Sequence, residues 1–291
     1  VGFDLFMAVV AIVAASLLTW RILRWYVAPF AAAGDTPSGD KAPSAADSAA
    51  QAQPPSPSDA THDALRSFII AAVLTIPALL INVLHNIILH GLTPSSVSSM
   101  SLPLWTANSW LQVIVITPVL FYCGTPIAVE GWLSLTRHAP DLNTLIAGGA
   151  GAAYIYSLAL TIMAPILPTD PEGPYFGFAG LAVTLALLGR LLEMRALLRH
   201  GRATPRWGLP AEQWHSRRVS APASVERYYR LTMFVVPTAL IATTWAFALF
   251  IVFGPQPRLA RAVVIGFSVL MVAGLALAAT KVVVAWKLLH A

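Results

Sequence analysis

Apolar residues run along this chain in long uninterrupted stretches, and the polar residues gather between them. A helix crossing the hydrocarbon core of a bilayer needs roughly 20 apolar residues. Seven stretches reach that length: residues 3–27, 67–89, 110–135, 142–167, 175–198, 228–253 and 261–289. The first closes on Arg21, Arg24, Trp25 and Tyr26, a basic and aromatic end suited to the membrane surface. In the third, Gly124 and Pro126 should break the backbone ladder, leaving a kink and then a short amphipathic piece along the surface. Gly148, Gly149 and Gly151 lie inside the fourth, where small residues let helices approach closely in lipid. The pattern predicts an all-α polytopic membrane protein with about seven transmembrane helices.

Between the first two stretches the pattern stops. Residues 31–62 are rich in Ala, Pro, Ser and Asp and almost free of large apolar side chains. Such a segment buries too little surface to offset its ordering entropy and reads as a flexible linker. The expected organisation is an N-terminal transmembrane helix (1–30), a linker (31–64) and a six-helix membrane domain (65–291). The N-terminal run is longer than a signal-peptide core and has no small-residue cleavage site, so it reads as a retained helix.

Composition agrees with the pattern. Hydrophobic residues make up 57% of the chain and charged residues 11%, against about a quarter charged in soluble domains. The net charge of +5 is carried by arginines beside apolar runs rather than on a basic face, so nucleic acid is not expected as a partner. Basic residues gather at Arg21, Arg24, Lys41 and Arg66, at Arg137, through 195–230, and at Lys281 and Lys287. The loops 90–109 and 168–174 have none. By the positive-inside rule the N-terminus lies outside and the C-terminus in the cytoplasm of a bacterial-type inner (plasma) membrane. The basic segment 199–227 is suited to anionic lipid headgroups. The single cysteine, Cys123, excludes an internal disulfide and a CxxC metal site.

Several ordered motifs within 110–195 resemble the first transmembrane helices of heavy-metal P-type ATPases, the copper-exporting class in particular. Cys123-Gly124-Thr125-Pro126 leading to Gly131-Trp132-Leu133-Ser134-Leu135 is similar to the family's kinked helix and amphipathic platform. Leu142-Asn143-Thr144-Leu145-Ile146-Ala147 resembles the start of the next helix. Tyr175-Phe176 and Leu188-Gly189-Arg190-Leu191-Leu192-Glu193 resemble the one after. Phe234-Val235-Val236-Pro237, Phe253-Gly254-Pro255 and 261–270 extend the likeness discontinuously over about 65–280.

The resemblance implies a P-type-ATPase-like helix arrangement and a setting in copper handling. It also exposes departures. The family's actuator tripeptide T-G-E and phosphorylation motif D-K-T-G do not occur in these residues. Its intramembrane Cys-Pro-Cys falls on 271–280, where Met271 is the only sulfur. Of the positions where the family admits metal, the methionine falls on Leu142, the aspartate on Tyr229 and the glutamate after Tyr-Phe on Gly177, while Glu193 remains.

Chemistry-bearing residues are sparse. Cys123 is a candidate soft Cu(I) ligand, with Met100 or Met163 as partners, or else a small buried hydrophobe. His85 and His90 point about 140° apart on a helix and so cannot share an ion. His85 alone lies deep enough to serve as a metal or haem ligand. Glu193, beside Arg190 and Arg195, is the third metal candidate or an interfacial charge. Lys281 sits far enough inside the last helix that it should snorkel or meet a carboxylate from a partner. No nucleophile–base pair, HExxH or phosphate loop occurs, and no catalytic residue is expected.

The expected function is therefore a non-catalytic membrane subunit or assembly factor, a degenerate pump scaffold in a larger, copper-dependent respiratory or oxidative complex. Its partners would be other integral membrane subunits and anionic lipids, with no cofactor required. The alternatives are a passive copper-handling membrane protein and a fragment of a copper-exporting ATPase.

Overall fold

A computed structural model describes residues 2–32, 57–89, 109–163, 175–200, 223–255 and 258–290. All the regular structure among them is helical: α1 (Gly2–Ala32), α2 (Pro57–Leu89), α3 (Ser109–Pro118), a π turn (Val119–Cys123), α4 (Thr125–Thr136), α5 (Leu142–Met163), α6 (Phe176–His200), α7 (Ala223–Phe253) and α8 (Arg258–His290). Among the described residues five helices are long and apolar enough to cross a membrane, or six if α3 and α4, bent by 59° at their junction, form one span. The first expected span falls on α1, a continuous helix of 31 residues that is not among these candidates. The chain is a polytopic all-α membrane protein.

The helices are layered around α6. Two thirds of its membrane-crossing length is buried (67%), against 17% for α2 and for α7. It packs on α2, α5 and α8; α7 covers α8, α1 covers α7, and α4 lies against the start of α5. Apolar burial exerts little pull between helices in lipid, so close fit and a few hydrogen bonds must hold them. Those bonds are present. The Thr184 and Thr75 hydroxyls meet at 3.1 Å between α6 and α2, the Thr117 and Tyr154 hydroxyls at 2.7 Å between α3 and α5, and the Tyr175 N–H donates to Ser157 Oγ at 2.7 Å. Of the three glycines grouped in α5, Gly149 faces the tight contact: a Cβ there would lie 3.1 Å from Met271 of α8, whereas one at Gly151 would meet nothing within 4 Å.

Several boundaries differ from the sequence expectation, two of them at prolines. Helix α2 begins at Pro57, well ahead of residue 67, so the end of the expected linker is helical; residues 33–56 lie outside the described ones. The break in the third stretch starts before Gly124, at Pro118. A proline has no N–H to continue the ladder, and the next turn widens so that the Gly124 N–H reaches Val119 O at 2.9 Å.

Candidate functional site

The polar chemistry collects at one end of the bundle, where the α4–α5 turn, the end of α6, the start of α7 and the end of α8 converge. Asp141 caps α5: its Oδ1 accepts from the Thr144 N–H and from Ser134 Oγ, both at 3.0 Å. In return the Asp141 N–H donates to Thr144 Oγ1 at 3.2 Å, the reciprocal pattern of a capping box. Thr144 Oγ1 also donates to Gly131 O at 3.0 Å, tying α4 down onto α5. Gly131 is required for that approach, because a Cβ would fall 2.6 Å from Asn143 O. Burial pushes the Asp141 carboxyl above the usual carboxylate range, while its hydrogen bonds from Thr144 and Ser134 and the charge of Lys281 pull it back.

Helix α6 carries two ion pairs at this end. Arg190 Nη1 lies 2.6 Å from Glu130 Oε1 of α4, and Asn143 Nδ2 donates to Glu130 Oε2 at 3.0 Å. Lys281 Nζ of α8 lies 2.9 Å from Glu193 Oε2, with both side chains nearly enclosed (11% and 13% exposed). Lys281 thus meets a carboxylate of its own chain rather than one supplied by a partner. Tyr228 and Tyr229 of α7 stand within electrostatic reach of Glu193, and Tyr228 also of Lys281 and Asp141.

Of the three sequence candidates for metal, Cys123 and Glu193 lie apart. Cys123 closes the π turn, fully buried in the apolar cluster with Val119, Ile127 and Val183. A Cβ on its neighbour Gly124 would lie 3.1 Å from Val183, and Glu193 is ten residues beyond Val183, about 15 Å farther along α6. The side chain of His85 lies outside the described residues. No group of three or more His, Cys, Asp or Glu side chains that could hold a metal occurs among the described residues. Beside the bend, Phe121, Gly124, Ala147, Gly151, Tyr154 and Val183 line an apolar groove of about 200 Å³ that offers hydrocarbon packing rather than ligands.

Sequence reasoning missed Asp141 and Glu130. The Asp141-x-x-Thr144 spacing before an apolar run is a helix-start signal and was available. Nothing local marks Glu130 as the partner of a residue sixty positions later.

A multi-pass helical bundle with a sharply bent α3–α4 unit defines the class, and comparison with known proteins narrows it. No protein-family profile matches the chain. It is 34% identical over 128 residues, 44% of its length, to a copper-exporting P-type ATPase of Staphylococcus epidermidis. It is 33% identical over 147 residues (48%) to a copper-exporting P-type ATPase of Legionella pneumophila. A silver exporting P-type ATPase of Salmonella typhimurium is 29% identical over 147 residues, also 48% of the chain. The matches cover 15%, 18% and 17% of those relatives, so the chain spans less than a fifth of their length. The resemblance noted in the motifs is therefore a measured similarity to the membrane pumps for copper and silver.

Proposed function

We propose that this chain is a copper-handling membrane region, corresponding to the front part of a heavy-metal exporter's membrane domain. The observation that carries this reading is the 33–34% identity to copper exporters over nearly half the chain. The bent α3–α4 unit docked on α5 through Gly131 supports it. Copper would be the cargo, and any phosphorylation chemistry would come from outside these residues. The basic end of the bundle would face the cytoplasm. The named relatives favour this alternative over a respiratory or oxidative complex as the setting.

A second reading, a non-pumping scaffold that packs against other integral membrane subunits, rests on one specific arrangement. Glu193, the retained metal-admitting carboxylate of the resemblance, is already neutralised by Lys281. On this reading the chain has no catalytic role.

Purification from native membranes in mild detergent, with metal analysis and identification of co-purifying chains, separates the two readings. Stoichiometric Cu(I), lost on Cys123→Ser or Glu193→Gln, is the result expected of copper handling. Metal-free protein bound stoichiometrically to subunits with no role in metal export would overturn it in favour of the scaffold.

A further inference from the structure

We infer that the Trp20–Trp25 stretch of α1 and the α4–α5 turn together form a binding site for an anionic phospholipid. On an ideal helix, taking Trp20 as zero, Arg24 stands at about 40°, Arg21 at about 100° and Trp25 at about 140°. The two arginines thus lie between two tryptophans on a single arc. The buried residues Ala15 and Ile22, at about 220° and 200°, mark the opposite side, and Thr19 beside them accepts from Trp245 Nε1 of α7 at 3.1 Å. The arc therefore faces away from the bundle.

Its geometry is fixed by stacking rather than left to mobile side chains. The Arg21 guanidinium lies 5.6 Å from the Trp25 ring centre, and that of Arg24 5.5 Å from Trp20. At the Trp25 edge the helix meets the turn after α4: the Trp25 and His138 rings are 4.9 Å apart, edge to face. His138 is held there by a left-handed backbone (φ 59°), and its neighbour Arg137 is exposed. Cation-bearing and N–H-donating groups from two separate elements thus border one surface. No carboxylate pairs with Arg21, Arg24 or Arg137 among the described residues.

The ligand must be amphipathic. Directly along the same arc, toward the middle of the helix, stand Leu17 at about 60°, Val13 at about 20° and Val10 at about 80°, exposed by 61%, 50% and 45%. Val10 to Arg24 spans about 20 Å of helix, so a cationic, tryptophan-flanked head continues into an apolar track. An acidic protein would match the head and leave the track bare. A phosphate-bearing lipid matches both.

The test uses the full chain in nanodiscs of equal phosphatidylglycerol and phosphatidylcholine, with retained lipids read by native mass spectrometry. Arg21→Gln/Arg24→Gln should lower phosphatidylglycerol retention by about fivefold per arginine and leave phosphatidylcholine unchanged. Arg21→Lys/Arg24→Lys should retain most of it. Equal phosphatidylglycerol retention in the Gln variant overturns the proposal, as does displacement of the lipid by millimolar glycerol phosphate, which would mark a site for the free anion. A readout that leaves the arginines intact is energy transfer from tryptophan to a dansyl-headgroup phosphatidylglycerol. Trp25→Phe should lower it more than Trp110→Phe, and equal losses count against the site.

Discussion

Two ion pairs leave the same helix three residues apart and live in different worlds. Arg190 and Glu193 are separated by about 60° around α6, yet Arg190 reaches out to the half-exposed Glu130, whereas Glu193 turns inward to Lys281. Exposed pairs contribute about 0–1 kcal/mol, because water screens them and two long side chains must be ordered. A buried pair adds little net stability, but removing one partner leaves an uncompensated charge and costs about 3–5 kcal/mol. The outer pair anchors a platform and the inner one removes a penalty; similar distances conceal unlike roles.

The largest effect should come from the inner pair. Lys281→Met is expected to destabilise the detergent-solubilised protein by about 3–5 kcal/mol, seen as a marked fall in thermal midpoint. The double variant Lys281→Met/Glu193→Leu should recover most of it, since apolar residues of similar volume replace buried ion pairs well. A silent Lys281→Met would place Glu193 in contact with water and dissolve the contrast.

Next comes the platform seat. Gly131→Ala must push α4 away from Asn143 O, at a cost of about 1–3 kcal/mol. Unchanged melting would mean that α4 does not dock as described. Loosening α4 also separates Glu130 from Arg190, so Gly131→Ala should abolish whatever small coupling a Glu130/Arg190 double-mutant cycle detects in the parent.

Asp141 sharpens the comparison through pH. Its carboxyl is raised in the folded state, so the folded chain holds the proton more tightly than the unfolded one. Stability from this group is greatest below the usual carboxylate value and declines as pH rises through that value to the folded one. Asp141→Asn keeps the acceptor and should flatten that slope in acid melting curves, with little change or a gain at neutral pH. Asp141→Ala loses the cap as well as the titrating carboxyl and should be less stable than Asp141→Asn by about 1 kcal/mol. A steeper slope in the Asn variant would contradict the raised carboxyl.

The smallest effect belongs to the outer pair. Arg190→Ala should cost less than about 1 kcal/mol and lose even that in high salt, where exposed charges are screened. A salt-insensitive loss of several kcal/mol would show that Arg190 is buried in the membrane after all.

Much of this frame was legible beforehand. The apolar stretch 175–198 became Phe176–His200, and 261–289 became Arg258–His290. The misses are physical. Hydropathy marks the part of a helix that lipid covers, so it passed over the polar first turns of α2 and the start of α7 at Ala223. The Ser56-Pro57 step, a helix-start signal in its own right, was masked by the surrounding Pro and Ser. Among the site residues, Glu193 and Lys281 were each visible as charges in an apolar setting. That they belong to each other was not.

Sequence alone was enough to show that the chain is a polytopic all-α membrane protein, that the third stretch must break, and that a lysine within an apolar helix must find an acceptor. These are local requirements of chain and solvent, written in the order of residues. Tertiary structure decided which acceptor, which glycine carries a contact, and which of two neighbouring charges on α6 is hidden. Those outcomes depend on how far each helix is turned and how closely its neighbour approaches. A rotation of about 60° exchanges water for protein at the same position in the sequence.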